Sequence, residues 1–468
     1  MINWHDDLPK IKPKYLAITK LIKSLIQEEK LLPGQRLPSE RKLAQLFDVD
    51  RSTVSRALLE LTSAGLLIKK SGSGTYISQL PQIHSLPTRV NWNLFLENNK
   101  TNYSLYQNKI TQTRALDNGM ILDAAGNELP MELIPNLGLL QMNWQNFLLA
   151  QKQAQDAGYL PLIQTIGHIH EQKKQLKLTE QTLLITGGAQ QSLLLILRSL
   201  LRVGDSVAFA QPSYFNSSAI FKTIGVRTFP IPLTDMKMDL NVLEDVILKH
   251  RIKLLILNPT FQNPTGDIIS LEQRQKILKL CQEYQIAIIE DDVFGWLVDS
   301  KDEVQTFKSL APENVIYISS LSKLLGSSTR IGWIVAPEAI GKRLLQVQKK
   351  LDIVPSMLAQ VMANLALTDE TFNTEINKLT KELSIRRKNV TKILHELKPD
   401  WNFKTPKGGF YLWIKQNDPD IFEKLLKKNI LVKPGPIYGT TKKDFRFNFA
   451  NFDIERQQKL RAALTKDK

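Results

Sequence analysis

Apolar positions in the N-terminal part of the chain recur first with helical and then with strand spacing. Tyr15, Ile18, Leu21, Ile22 and Leu25 form one stripe and predict an amphipathic helix that ends before Leu32-Pro33-Gly34. Ser39 can cap a second helix, Glu40 to Phe47, with Leu43, Ala44 and Phe47 inward and Arg41 and Lys42 outward. The short connection Asp48-Val49-Asp50 leads to a third helix from Arg51 to Leu61. Its Val54, Leu58 and Leu61 face inward, and Gly65 suits its exit. Leu66 to Ile77 reads as two strands joined by a Gly-rich tip.

The pattern changes beyond Ser78. From Gln79 to Asp117 the chain is rich in Asn, Gln, Thr and Lys with scattered aromatics, and reads as a linker. From about Met120 onward, short β-rich runs alternate with helical periodicity. They are Thr182-Leu-Leu-Ile-Thr, Ser206-Val-Ala-Phe-Ala, Leu254-Leu-Ile-Leu, Ile286-Ala-Ile-Ile-Glu, Val315-Ile-Tyr-Ile-Ser and Gly332-Trp-Ile-Val-Ala. That order predicts an α/β fold whose sheet is buried on both faces, with functional groups beyond the strand ends. The organisation expected is residues 1–78 as a small α+β domain, 79–118 as linker and 119–468 as a large α/β domain. No internal repeat or low-complexity tract is present.

Composition narrows the classes. At 468 residues a single domain is not expected, and 43% hydrophobic residues suffice for a sizeable core. With 62 Lys+Arg against 46 Asp+Glu the formal charge is +16, which favours an anionic partner, although a solvating lysine-rich surface accounts for it equally. The lone cysteine, Cys281, cannot form an internal disulfide or supply a cysteine zinc cluster, and the expected compartment is the reducing cytoplasm. The start, Met1-Ile-Asn-Trp-His-Asp-Asp, is acidic where a secretory signal is basic. The longest apolar stretch, Leu193 to Leu201, is broken by Arg198 and Ser199, short of the ~20 residues that span a bilayer. No membrane association is expected.

Two short helices with such a turn can set the second in the major groove. Arg51, Ser52, Thr53 and Ser55 would then touch bases and Arg56 a phosphate, with the two strands as a wing. A small solvated helical cap has the same periodicity. The runs Leu32-Pro-Gly-Gln-Arg-Leu-Pro-Ser-Glu-Arg-Lys-Leu-Ala, Val49-Asp-Arg-Ser-Thr-Val-Ser-Arg-Ala-Leu and Gly72-Ser-Gly-Thr-Tyr-Ile separate the two. In that order and spacing they resemble the winged helix-turn-helix of the GntR family of bacterial regulators, from about Tyr15 to Ile77. The resemblance implies DNA-contact roles for Arg41, Arg51, Thr53, Ser55, Arg56 and Gly74. Asp50 departs from it, standing where the family has serine, and a carboxylate there repels phosphate unless it caps the helix.

In the large domain, Ile318-Ser-Ser-Leu-Ser-Lys323-Leu-Leu-Gly-Ser-Ser-Thr-Arg330 joins a strand end, hydroxyls, a lysine and an arginine. A lysine amine in a dry pocket can form a Schiff base while hydroxyls and Arg330 hold a phosphate, which suits pyridoxal phosphate. A basic Ser-rich loop with a solvated lysine would look the same by itself. Asn263, in Asn258-Pro-Thr-Phe-Gln-Asn-Pro-Thr-Gly266, can donate to a phenolic oxygen. Asp291, at a strand end, can keep a pyridine nitrogen protonated. Thr186-Gly-Gly188-Ala189-Gln190 opens an apolar helix whose amides can bind phosphate. Tyr214 offers a flat face, and Arg446 can hold a carboxylate through two parallel hydrogen bonds.

Each of these residues also has an ordinary structural reading as cap, core, turn or surface ion pair. Their order and spacing over about 350 residues resemble fold-type I aminotransferases, particularly the aminoadipate aminotransferase-like branch. The resemblance makes Lys323 the aldimine lysine, Asp291 the pyridine partner, Asn263 the O3′ partner and Tyr214 the stacking ring. It makes Gly188, Ala189, Gln190, Ser320, Ser322 and Arg330 the phosphate ligands and Arg446 the carboxylate clamp. Two departures argue against a site tuned for rapid turnover. Val293-Phe294 stands where a tyrosine normally touches O3′. Gln153 and Ile163 stand where a tyrosine and an arginine are usual.

A GntR head joined to an aminotransferase-like body resembles the MocR subfamily of bacterial transcription regulators. The resemblance implies a homodimer that binds double-stranded operator DNA, carries pyridoxal 5′-phosphate on Lys323, and responds to an amino-acid or amine effector or to the vitamin itself. The alternatives are a metabolic aminotransferase with a DNA-binding appendage, and a cofactor-free body that merely pairs the heads.

Overall fold

The computed structural model of the chain describes residues 11–78 and 102–465, apart from residues 29, 71, 72, 139–142, 175, 177, 179–181, 236 and 299–303, together with residues 4, 8 and 9. It divides into two units, Met1–Lys100 and Thr101–Lys468.

The small unit holds helices α1 (Lys14–Gln27), α2 (Glu40–Phe47) and α3 (Arg51–Ser63) and an antiparallel pair, β1 (Leu67–Lys70) and β2 (Gly74–Ile77). The predicted stripes meet in one core of Ile18, Ile22, Leu43, Phe47, Val54 and Leu61. Ser39 caps α2 by accepting from the Lys42 amide at 3.3 Å, and Asp48 ends that helix in the left-handed conformation at φ 50°. Asp50 occupies the cap position of α3, yet its side chain makes no capping hydrogen bond. Gly74, at φ 120°, is fixed by its backbone conformation, and any side chain there would also have to move the Arg36 guanidinium aside. A Cβ there would lie 2.9 Å from Arg36 Nε.

The large unit is built on an eight-stranded sheet. Its order is Leu183–Thr186, Gly332–Val335, Val315–Ser320, Ala287–Asp291, Ile252–Leu257, Ser206–Gln211, Arg227–Thr234 and Lys237–Met238. Only Gly332–Val335 and Lys237–Met238 run against their neighbours. Both faces are buried, as the near-continuous apolar runs predict. Leu254 and Ile256 join the core on one side, while Leu255 and Leu257 join that on the other. A second, antiparallel sheet follows the 26-residue helix Phe372–Leu397 and sets Asp444–Asn448 between Tyr411–Lys415 and Lys433–Pro434. Among the described residues, no helix is long and apolar enough to cross a membrane.

The expected linker needs correction. Residues 79–101 lie outside those described, but Asn102–Ala115 is a helix, α4, belonging to the large unit. Tyr106 meets the Phe422 ring edge-on at 5.6 Å, and Ile110, one turn later, is buried. Lys109 pairs with Glu423 at 2.5 Å, and Arg114 grips Asp123 through bonds of 2.7 and 3.1 Å. Two apolar anchors one turn apart are enough to dock a helix whose remaining surface is polar, and that surface is what made the composition look like a linker.

Beneath the central strand, Arg274 and Glu290 form an ion pair of 3.2 Å with both side chains fully buried. Glu290 also accepts from the Phe307 and Lys308 amides at 3.0 and 2.9 Å, and Arg274 donates to the carbonyls of Ile269 and Gln305. Arg274→Met strands a buried carboxylate and should cost about 3–5 kcal/mol, with Glu290→Leu added to it restoring part of the loss. Denaturant unfolding checks this, and an unchanged midpoint for the single variant would contradict it.

Candidate functional site

The small unit brings several of its predicted residues to one place. Arg41, Arg51 and Thr53 line a single recess between α2 and α3, together with Lys14, Gln45 and Asp50. Arg51 and Lys69 both reach Glu40, at 3.5 and 3.1 Å, so one carboxylate ties the start of α3 to the first wing strand. Those cations hold Glu40 below the usual carboxylate range, Lys69 most strongly. Arg56 is exposed and lies 4.1 Å over the Tyr15 ring. Because the Asp50 side chain caps nothing, its charge stands at the positive end of α3 with no structural bond to occupy it.

In the large unit, strand ends converge on a cavity of about 480 Å³ lined by Gly188, Ala189, Gln190, Tyr214, Asn263, Asp291, Ser320, Ser322, Lys323 and Arg330. Ten of the eleven residues expected there meet in it. Ser320 donates to Ser322 Oγ and to the Ile331 carbonyl at 3.1 and 2.8 Å, and Ser322 returns its amide to Ser320 Oγ at 3.1 Å. Gly188 caps the helix Ala189–Leu200 at φ 101°, a conformation L side chains rarely adopt, beside the hydroxyls of Ser320 and Ser322. That concave set of amides, hydroxyls and Arg330 fits a phosphate.

Asp291 ends the central strand, fully sequestered from water. Its Oδ2 accepts from the Tyr214 hydroxyl, while Oδ1 makes no hydrogen bond of ordinary geometry among the described residues, and the Val293 amide is the backbone donor acting on the carboxyl. Burial pushes its carboxyl up to about 6, against the opposing pull of the Tyr214 bond. A buried acceptor without a donor is costly, and a protonated ring nitrogen would satisfy it. Its neighbour Asp292 is treated differently. Although burial alone would raise it, Lys174 at 2.5 Å and the Tyr317 hydroxyl at 2.8 Å hold it below the usual range. Asn263 accepts from Arg446 at 3.0 Å through Oδ1, which turns its amide NH₂ the other way, and its own amide is fixed on Asn258 at 2.8 Å. The set thus fits pyridoxal phosphate, with Asp291 accepting at the ring nitrogen, Asn263 donating at the phenolic oxygen, the Lys323 amine at the aldehyde, and hydroxyls, amides and Arg330 at the phosphate. Where a tyrosine would add a second bond to that oxygen, buried Phe294 places only its ring, 6.0 Å from Lys323 Nζ.

Three arrangements escape sequence reading. Tyr214, expected only as a stacking face, also donates to Asp291. Arg446, expected as an open carboxylate clamp, is fully buried and does not line the cavity. It donates to Asn263 Oδ1, to the carbonyls of Ala125 and Gly126, and to Asn127 Oδ1, with its guanidinium 3.8 Å over the Tyr411 ring. Asn127 and Lys433 line the cavity, and no motif marked either. Lys433 Nζ bonds Asn127 Oδ1 at 3.2 Å, and burial, with Arg446 and Arg114 nearby, pushes its amine down to about 7. A second cavity, of about 660 Å³, is lined by His170, Lys173, Lys174, Trp296 and Lys381 and lacks a comparable set of hydroxyls and carboxylates.

The raised Asp291 fixes a pH dependence. With its folded value near 6 and its ordinary value near 4, the native state holds the proton more tightly between them, so stability falls as pH rises through that window. In cofactor-free protein, Asp291→Asn should therefore raise the unfolding free energy at pH 7.5 by on the order of 2–3 kcal/mol, an advantage that shrinks below pH 6 and vanishes near pH 4. Thermal melts across that range test it; a gain that grows toward acid would contradict it.

Comparison with known proteins accords with this geometry. The family described as "Bacterial regulatory proteins, gntR family" matches residues 14–77, and "Aminotransferase class I and II" matches residues 152–464. The HTH-type transcriptional regulator YdfD of Bacillus subtilis strain 168 is 32% identical, over 96% of this chain and 94% of its own. The HTH-type transcriptional regulator NorG of Staphylococcus aureus strain N315 is 28% identical, over 92% and 98%. Among solved structures, an archaeal alanine:glyoxylate aminotransferase shares the fold at TM-score 0.70 and 23% identity, covering 81% of this chain and all of its own. LysN, the alpha-aminoadipate aminotransferase of Thermus thermophilus, does so at TM-score 0.64 and 24%, covering 78% and 98%. A gntR head and a class I and II aminotransferase body on one polypeptide, matched end to end by HTH-type regulators, place the chain in the GntR family of transcription regulators, among those of MocR-type architecture.

Proposed function

We propose that the large unit holds pyridoxal 5′-phosphate at Lys323 and uses it to sense an amino compound, whose binding alters how a homodimer of the chain engages operator DNA in the cytoplasm. One observation carries the reading: the buried Asp291, whose Oδ1 makes no hydrogen bond of ordinary geometry, shares a cavity with Lys323 and a phosphate cradle. When bound, the cofactor supplies an aldehyde that condenses with amines and a ring that withdraws electrons while its nitrogen is protonated. The chain's own residues do the holding. Asp291 keeps that proton in place, Asn263 donates to the phenolic oxygen, and Tyr214, pinned through its hydroxyl, presents its ring. Ser320, Ser322, Arg330 and the amides at Gly188 to Gln190 grip the phosphate. An effector shifts the head arrangement only through a difference in affinity for two states of the protein.

Phe294 supports sensing over turnover, because a carbon ring replaces a hydroxyl beside the phenolic oxygen. In the small unit, Arg41, Arg51, Thr53, Ser55 and Arg56 contact DNA, and the Gly74 backbone carries the wing. The test loads the full chain with pyridoxal phosphate, reduces it with borohydride and locates the label by peptide mass. The label should fall on Lys323 and be absent from Lys323→Ala, and Asp291→Ala should weaken cofactor retention at least about tenfold. DNA from the chain's own promoter region should bind differently once a responding amine is added. A label elsewhere sinks the proposal, and sustained amino transfer to a keto acid favours the enzyme instead.

A further inference from the structure

The cavity of about 660 Å³ takes no part in the proposed function, and its wall joins an aromatic surface to a group of cations. It lies between the end of the helix Leu160–Lys174, the helix Phe372–Leu397 and the turn Gly295–Leu297 beyond the central strand. Trp296 is held there by edge-on contacts with Trp333 and Phe372 at 6.0 Å and with His170 at 6.2 Å. Trp333 donates its indole N–H to His170 Nε2 at 3.1 Å, which assigns the imidazole proton to Nδ1. Burial, with Lys174 and Lys173 nearby, pushes that ring down to about 3 and keeps it neutral. The buried Nδ1–H then meets no acceptor among the described residues, an omission that costs about 1–3 kcal/mol. Lys173, Lys174 and Lys381 all line the cavity, and among the described residues no carboxylate does. Lys174 is engaged by Asp292 at 2.5 Å, and Lys173 bonds the neutral Asn373 side-chain oxygen at 3.4 Å. Lys381, one helical turn beyond Asn377 and two beyond Asn373, brings its charge to the same wall.

From this geometry we infer that the cavity is a second ligand site, separate from the cofactor cavity, and that it takes a flat aromatic carboxylate. The ring packs against Trp296 and the apolar side chains of Ile169, Val298 and Ile376, while the carboxylate is drawn by Lys381 and Lys173 and accepts from His170 Nδ1–H. Each part of that ligand answers one observation. The anion supplies the acceptor that His170 lacks and the charge that the lysines call for, and the ring fills volume that a small acid such as acetate leaves empty. A phosphate fits less well, because three lysines are point charges without the helix amides and paired serine hydroxyls that line the other cavity. An amine is opposed by all three cations.

Calorimetric titration of the full chain, with and without pyridoxal phosphate, tests this using benzoate, indole-3-acetate and 2-naphthoate as probes, each against its carboxamide, with acetate as the acid that lacks a ring. At least one aromatic carboxylate should bind with a Kd below about 1 mM, and its carboxamide and acetate at least about tenfold more weakly. Lys381→Glu should weaken that carboxylate about tenfold, whereas Lys381→Arg should leave it within about twofold. Lys381 is exposed and lines this cavity and not the other, so both variants keep the core and their difference assigns the binding here, whether or not the cofactor is present. His170→Phe, which keeps a ring and removes the donor, should also weaken the carboxylate about tenfold. A carboxamide that binds as tightly as its acid overturns the proposal, as does indifference to Lys381→Glu or failure of all three aromatic carboxylates to bind.

Discussion

The large unit depends on burying three consecutive carboxylates, Glu290, Asp291 and Asp292, at the end of its central strand. Taking a charge out of water costs several kcal/mol unless hydrogen bonds and opposite charge replace the solvent. Glu290 is answered by Arg274 and two backbone amides, and Asp292 by Lys174 and Tyr317. Asp291 receives one hydroxyl and no cation, and its Oδ1 is left open, as is Oδ1 of Asp292, but only Asp291 lines the cavity. The flanking pairs make the middle position rigid, so an unsatisfied oxygen can persist there and face the cavity. Of the three, only Asp291 has neither a cation nor a full set of donors and also lines the cavity, where a cationic ring nitrogen would answer it.

How much of this was legible depends on distance along the chain. The residues that line the cavity lie on short runs in which a strand stops and a loop or helix begins, each run ambiguous alone and identified only by the order and spacing that resemble a known family. That Lys323, Asp291, Asn263 and the Gly188 turn meet in one cavity was legible through that resemblance. The Asn127, Lys433 and Arg446 cluster was not, because its members come from three distant segments and meet only through the pairing of Lys433–Pro434 with Asp444–Asn448. Nor does sequence reveal that Arg446 is already engaged, since an arginine's partners are set by loops folded over it. The helix α4 was misread for the opposite reason. Its local composition was informative about solvent exposure and silent about the two side chains, Tyr106 and Ile110, that dock it.

In the small unit the agreement is closer, because its core is made by neighbours in sequence. Helix stripes three and four residues apart find each other within a few turns, and Ser39 and Asp48 set the ends of α2 by local geometry. The tie through Glu40 joins residues that periodicity cannot relate, the start of α2 to the start of α3 and to β1.

That tie bears on how the head meets a polyanion. Arg51, a DNA contact in the proposed function, and its neighbour Lys69 carry a resident anion, so where either meets a phosphate Glu40 stays close to the pair and lowers its net charge. A carboxylate held beside two cations lowers the net positive charge brought to the phosphates, and with it the number of condensed counterions displaced, the displacement that makes binding weaken with added salt. The small unit should accordingly hold operator DNA with a gentler ionic-strength dependence than a count of its lysines and arginines implies.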